Sequence, residues 1–99
     1  MKTISKFIWF DGKFIPKEKT MIPVTTHAIH YGTSIFEGIR AYWNSNNLFL
    51  FRLNEHVKRF RNSGKFYNIS LRFSNREIQE AIIKLCKKNK IKSSCYIRP

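Results

Sequence analysis

Residues 35–51 read IFEGIRAYWNSNNLFLF. Two apolar runs, at 35–43 and 48–51, flank the polar residues NSNN at 44–47. Asparagine and serine tolerate the left-handed backbone that tight turns require. The stretch therefore predicts a β-hairpin whose strands are residues 35–43 and 48–51.

The first of these strands would carry two different faces, because successive side chains in a strand point to opposite sides. One face would contain Phe36, Gly38, Arg40 and Tyr42, and the other Glu37, Ile39, Ala41 and Trp43. A glycine inside a strand often marks a close approach by a ligand or another backbone. The first face can therefore form the floor of a site for a flat anionic ligand. An edge strand with Arg40 in water fits the same spacing equally well.

The residues upstream predict another hairpin. Asp11-Gly12 separates apolar runs at 7–10 and 13–15. This dipeptide is typical of a two-residue turn, because both turn positions need a positive φ. Residues 17–34 are polar and irregular, which predicts a loop with room for one helical turn.

The residues downstream predict two helices. Apolar residues recur at helical spacing over 53–67, with Asn54 as the cap of this first helix. The sequence SNRE at 74–77 is a capping box, with serine at the cap and glutamate three residues later. An apolar stripe follows it, and the second helix would end near residue 89.

A last strand, predicted over 94–98, would place Tyr96 and Arg98 on one face and Cys95 and Ile97 on the other. A tyrosine hydroxyl beside a guanidinium suits a carboxylate, since the rigid arginine fork can bind both oxygens. A surface arginine near a chain end would show the same pattern.

Hairpins followed by two helices predict an α+β fold, a small domain of mostly antiparallel β-hairpins packed against two α-helices. The length of 99 residues suits one domain. No further strand follows the last one to complete its sheet, so we expect the chain to be part of a longer protein.

Composition excludes several classes of protein. Hydrophobic residues make up 42% and aromatic residues 15% of the chain, which is too much apolar material for a disordered basic tail. No apolar run approaches the roughly 18 residues of a membrane span, and no secretory signal is found. We therefore expect no membrane partner.

The cysteines and histidines show no metal-ligand spacing, so no metal site is predicted. Cys86 and Cys95 fit small core residues in a reducing cytoplasm. His27 and His30 fall in the irregular loop, and His56 is most simply an exposed helix residue.

The formal net charge of +13 is concentrated in residues 51–99, which hold thirteen basic and three acidic groups. A basic nucleic-acid-binding module is one interpretation. A solvated helix end is favoured, because basic side chains in a last helical turn complement the helix dipole.

Five stretches of the chain are similar to one known family: residues 8–12, 27–40, 51–52, 55–59 and 96–99. Together they closely resemble the N-terminal part of branched-chain amino-acid aminotransferases, fold-type IV enzymes that use pyridoxal 5′-phosphate. D-amino-acid aminotransferases and aminodeoxychorismate lyases share this fold type. They usually lack the form FEGIR found here and are kept as the alternatives.

The resemblance implies which residues bind the cofactor and the substrate carboxylate. Arg59 would bind the cofactor phosphate, which distinguishes it from its basic neighbours on the helix. Tyr96 and Arg98 would hold the α-carboxylate of the substrate.

The resemblance also implies a side-chain pocket and an oligomer. Phe36 would line the aliphatic pocket, with Gly38 and Arg40 on the same active-site strand. Tyr31 would reach the pocket of a neighbouring subunit, which implies a homodimer or a larger assembly.

The implied activity is reversible amino transfer between Leu, Ile or Val and 2-oxoglutarate in the cytoplasm. Its partners would be amino acids and 2-oxo acids, with no nucleic acid. In the family, the lysine that carries the cofactor lies downstream in a second domain, and none of the twelve lysines here matches it. Residues 1–99 would therefore be the smaller N-terminal domain, inactive in isolation and without a catalytic residue of its own.

Overall fold

The computed structural model describes residues 5–99 and shows an α+β fold, as predicted. Along the chain the elements are β1 (Phe7–Phe10), β2 (Lys13–Pro16), α1 (His27–Tyr31), β3 (Ile39–Trp43), β4 (Leu48–Leu50), α2 (Leu53–Phe66), α3 (Asn75–Lys88) and β5 (Cys95–Ile97). A short 3-10 helix, Lys17–Lys19, follows β2. Both sheets are antiparallel: β1 pairs with β2, and β3 lies between β4 and β5.

The first hairpin forms as predicted, with Asp11 at φ 52° and Gly12 at φ 87° in its turn. One of its anchors to the rest of the chain is Asn89, directly after α3. The Asn89 Oδ1 accepts hydrogen bonds of 2.8 Å from the backbone N–H groups of Lys6 and Phe7. Its Nδ2 donates to the Phe7 carbonyl at 3.0 Å. The residue that ends the helix therefore also fixes the position of β1.

The central strand begins later than predicted, at Ile39 rather than residue 35. The reason is the length of its neighbours: β5 ends at Ile97, opposite Ile39, and β4 ends at Leu50, opposite Ala41. Residues 35–38 therefore have no full ladder partner, although the Glu37 N–H still donates to the Pro99 carbonyl at 3.2 Å.

The two long helices begin in different ways. The capping box of α3 is confirmed: the Ser74 hydroxyl accepts from the Glu77 N–H, and the Glu77 carboxylate accepts from the Ser74 N–H. The predicted cap of α2 is wrong, because Arg52 precedes this helix in a left-handed conformation, with φ 53°. Asn54 lies inside the first turn, where its Oδ1 accepts from Gln79 on α3.

The hydrophobic core lies between β3 and the two long helices. Ile39, Val57, Ile78 and Ile82 form its buried cluster. Apolar burial is the main stabilising term in a domain of this kind. The helices cover one side of β3, so its other side faces outward. Within residues 5–99, no helix is long and apolar enough to cross a membrane.

Candidate functional site

The outward side of β3 carries the face that the sequence pattern predicted. Phe36 is 67% exposed, and Arg40 is also exposed, whereas Ile39 is fully buried. The pairing of β3 with β5 places Arg40 opposite Tyr96. The face, which we call the open face, comprises Phe36, Gly38, Arg40, Tyr96 and Arg98.

Aromatic rings and guanidinium groups contact one another on the open face. The guanidinium carbon of Arg98 lies 4.6 Å from the ring centroid of Phe36 and 5.3 Å from that of Tyr96. The guanidinium carbon of Arg40 lies 5.7 Å from the Tyr96 centroid. Cations at these distances are attracted to the ring faces. Neither arginine has a carboxylate partner within the described chain, so the open face can bind an anion.

Gly38 allows the Tyr96 hydroxyl to approach the backbone directly before β3. A Cβ atom added at Gly38 would overlap the Tyr96 hydroxyl and the ring carbon that carries it. Gly38, which the sequence pattern put inside the strand, therefore marks a close approach by another side chain, and it sets the position of the Tyr96 ring that Arg98 contacts.

A second group of charged residues lies on the core side of the same segment. Glu37 has only 4% of its side chain exposed. Its Oε1 accepts from Arg59 Nε at 2.5 Å, and its Oε2 accepts from Arg59 Nη2 at 2.7 Å and from His56 Nδ1 at 3.1 Å. The expectation that His56 is an exposed helix residue is wrong, because this bond holds it half-buried.

Sequence reasoning did not select Glu37 as a site residue, although one feature of the pattern pointed to it. In the predicted strand Glu37 shares a side with the apolar residues Ile39 and Ala41, and all three are buried in the structure. A buried carboxylate must find a cation or hydrogen-bond donors, because its burial is otherwise costly. Which cation it finds could not be read from the spacing.

Arg59 keeps part of its guanidinium available. The Nε and Nη2 atoms bind Glu37, yet 68% of the side chain is exposed, and Nη1 has no hydrogen-bond partner in the described part of the chain. Its neighbour Arg61 differs, because it bridges to Asn75 and to the Phe73 carbonyl. Among these helical arginines, Arg59 is the one suited to hold an external anion such as a phosphate.

Tyr31 lies apart from the open face. It is the last residue of α1 and is 73% exposed. Its ring lies 4.5 Å from the ring of His27, measured between centroids. Within residues 5–99, no hydrogen bond or ring contact joins Tyr31 to the open face.

Electrostatics keep the Glu37 carboxylate ionised. The hydrogen bonds from Arg59 lower its pKa from 4.5 to about 2, and His56 adds to this effect, while burial opposes it. The same pairing raises the pKa of Arg59. Both groups therefore carry full charge at neutral pH.

This pairing predicts a pH dependence of stability. Since the pKa of Glu37 is about 2 when folded and 4.5 otherwise, the unfolded chain binds the proton first as the pH falls. The stabilisation is present above about pH 4.5 and is lost towards pH 2. It amounts to at most about 3 kcal/mol, reduced by the solvent around Arg59. Tryptophan fluorescence during urea unfolding at pH 2–6 measures it.

The control for this measurement is Glu55→Gln, which removes an exposed carboxylate paired with Arg52 at 3.6 Å. Glu37→Gln should flatten the pH dependence of the free energy of unfolding, and the control should leave it nearly unchanged. If the free energy of unfolding depended on pH equally in Glu37→Gln and in the wild-type protein, the pH dependence would not arise from Glu37.

The chain is similar in sequence and in fold to known aminotransferases. The family described as Amino-transferase class IV matches residues 34–99. The branched-chain-amino-acid aminotransferase of Salmonella typhimurium is 42% identical over 93 residues, which are 94% of this chain and 30% of that protein. The solved structure of the branched-chain aminotransferase of Thermoproteus uzoniensis with norvaline has a TM-score of 0.91 at 35% identity, covering 95% of this chain and 32% of that chain.

A second solved structure is that of a T.th. branched-chain amino acid aminotransferase complexed with N-(5′-phosphopyridoxyl)-L-glutamate. It has a TM-score of 0.90 at 47% identity, and the match covers 95% of this chain and 31% of that one. The chain therefore spans about a third of the length of these proteins.

Proposed function

The chain belongs to the class IV aminotransferases, and we propose that it is the smaller N-terminal domain of a branched-chain amino-acid aminotransferase. The observation that carries this proposal is the open face, where Gly38 admits the Tyr96 hydroxyl and the Arg98 guanidinium lies against the rings of Tyr96 and Phe36. On this face a cation that could bind a carboxylate lies next to an apolar ring. An amino acid with an aliphatic side chain needs both.

Pyridoxal 5′-phosphate is the cofactor that this function requires. When bound, it supplies the electron sink for a carbanion at the substrate α-carbon. Arg59 fits the phosphate, since it is exposed, cationic and held at one edge by Glu37. The lysine that carries the cofactor would lie downstream of residue 99.

The residues of the open face would bind the substrate. Arg98 and Tyr96 would hold the α-carboxylate, which every amino acid and 2-oxo acid in the reaction carries. Phe36 would contact the side chain of Leu, Ile or Val, and Arg40 adds a second cation on the same face. A similar protein has been solved with norvaline, which supports an aliphatic substrate. Another has been solved with a glutamate derivative, which supports 2-oxoglutarate as the amino acceptor.

Self-association would give Tyr31 a place in a substrate pocket, that of a second copy of the chain. The segment 21–31 exposes several apolar side chains: Met21, Val24, Ile29 and Tyr31 itself. Exposed apolar clusters often mark protein interfaces. We propose that a second copy covers this surface and receives Tyr31 in its pocket, giving a homodimer or a larger assembly. Light scattering of the full-length protein would measure its mass, and a monomer would refute this arrangement.

A reducing cytoplasm is the proposed location. Cys86 and Cys95 are free and partly buried, and burial raises the pKa of Cys86 to about 11. Thiols in this state are unreactive packing residues.

The test of the function is an assay of the full-length protein with pyridoxal 5′-phosphate and 2-oxoglutarate. Leucine, isoleucine and valine should be converted efficiently. D-alanine and aminodeoxychorismate represent the two alternative activities of the fold type. Preference for either of them would overturn the proposal.

The isolated residues 1–99 should show no turnover of leucine with 2-oxoglutarate above the rate of the free cofactor. The physical reason is that no lysine here corresponds to the cofactor-carrying one. A rate clearly above that background would mean that the chain contains its own catalytic group.

Gly38→Ala should impair substrate binding more than stability. The added methyl group would displace the Tyr96 hydroxyl, but this half-exposed side chain can move aside, so the free energy of unfolding should fall by less than about 1 kcal/mol. Loss of one hydroxyl contact should raise the KM for leucine roughly two- to tenfold. Steady-state kinetics and thermal unfolding measure the two effects.

The control for Gly38→Ala is the same change in a Tyr96→Ala background. There the methyl group meets no hydroxyl, so it should have little further effect on KM. If Gly38→Ala raised KM by the same factor in the wild-type and in the Tyr96→Ala background, its effect would not depend on the Tyr96 hydroxyl.

A further inference from the structure

Glu37 binds Arg59 in a way that leaves one edge of the guanidinium unused. The carboxylate engages Nε and Nη2, at 2.5 and 2.7 Å, which form one side of the planar group. Donors remain on Nη1 and on Nη2. Because the guanidinium is rigid and planar, fixing one edge also fixes the direction of the other.

The carboxylate that makes this contact is itself held in place. It is almost fully buried, and His56 donates to Oε2 from one turn before Arg59 on the same helix. Stability alone does not require a carboxylate here, since apolar residues often replace a buried ion pair without loss. A buried carboxylate whose partner is an exposed arginine instead points to orientation of that arginine.

We infer that Glu37 is a positioning residue, which orients Arg59 so that its free edge receives the cofactor phosphate. This inference rests on the proposed function, because the phosphate is that of pyridoxal 5′-phosphate. An unrestrained arginine side chain loses conformational freedom when it binds an anion. Arg59 has already lost part of that freedom to Glu37, which lowers the entropic cost of binding.

The backbone of Glu37 has a second role that the side-chain substitution would leave intact. Its carbonyl accepts from Arg98 Nη1 at 3.4 Å, and its N–H donates to the Pro99 carbonyl. Glu37→Gln keeps these groups. The variant should therefore change cofactor affinity and leave the substrate KM, measured at saturating cofactor, close to that of the unchanged protein.

The experiment titrates the full-length apoprotein with pyridoxal 5′-phosphate and follows cofactor absorbance. Glu37→Gln should weaken binding about tenfold or more, and Arg59→Ala should weaken it at least as much. The double variant should bind no more weakly than Arg59→Ala alone, because Glu37 acts through Arg59. Pyridoxal without phosphate, as a second probe, should bind all variants equally.

The sign of the effect separates positioning from simple charge. Removing a negative charge near a phosphate would by itself strengthen binding, so weaker binding in Glu37→Gln reports the loss of orientation. Unchanged or tighter binding would overturn the inference. The inference would also be overturned if Glu37→Gln lowered cofactor affinity by the same factor in the wild-type and in the Arg59→Ala background.

Two further variants keep the outcome interpretable. Glu55→Gln removes an exposed carboxylate from α2, the helix that carries Arg59, and should bind the cofactor with wild-type affinity. Glu37→Asp keeps the charge but withdraws it from Arg59, and it carries the comparison if Glu37→Gln does not fold. If the unchanged protein binds no cofactor, the proposed function fails. If the wild-type protein binds the cofactor and the Glu37 variants bind it equally well, the proposed function stands and the positioning role fails.

Discussion

Replacing Arg98 by alanine in the full-length protein should raise the KM of amino acids and 2-oxo acids alike, by about tenfold or more. Every substrate carries the α-carboxylate, so the loss of its cation cannot be selective. The Arg98 guanidinium contacts the rings of Phe36 and Tyr96 and has no carboxylate partner among the described residues. Its full charge is therefore available to a ligand. Steady-state kinetics with leucine, glutamate and 2-oxoglutarate would measure the effect.

Conservative variants refine this result. Arg98→Lys should restore binding only in part, because an ammonium group is a point charge and cannot make a two-pronged contact. Tyr96→Phe should act in the same direction with a smaller effect, since one hydroxyl is lost. Arg76→Ala is the matched control, because this exposed arginine on α3 pairs only with Glu80 in the described chain. A change confined to the preference between branched and acidic substrates would instead place Arg98 in the side-chain pocket.

Arg59→Ala should lower the affinity for pyridoxal 5′-phosphate by about tenfold or more, because hydrogen bonds to a charged group contribute about 1.5–3 kcal/mol. Substrate preference should change little at saturating cofactor. Dialysis followed by absorbance of the remaining bound cofactor would measure retention. Arg59→Ala also removes the partner of buried Glu37, so thermal unfolding should accompany the measurement.

Two neighbours on α2 serve as controls for Arg59. Lys58→Ala removes an exposed charge one residue away and should retain the cofactor fully. Arg61→Ala breaks the bridge to Asn75 and the Phe73 carbonyl, so it should lower stability more than cofactor affinity. Cofactor retention by Arg59→Ala equal to that of the unchanged protein would remove Arg59 from the phosphate site.

Features that depend on neighbouring residues could be predicted from the sequence alone. The turn at Asp11-Gly12 follows from the positive φ that this dipeptide tolerates, and the start of α3 follows from a serine and a glutamate three residues apart. The two faces around Ile39 follow from the alternation of side chains in a strand. Each depends on local backbone geometry, which a short stretch of sequence specifies.

Features that depend on residues distant in the chain became visible only in the folded domain. Where β3 begins depends on the lengths of β4 and β5, and the start of α2 on the left-handed Arg52 rather than on Asn54. The contact that distinguishes Arg59 from its basic neighbours is the one with Glu37, which is 22 residues away along the chain. These contacts form only when the helices pack against the sheet, because spacing along a sequence does not specify which distant side chains meet.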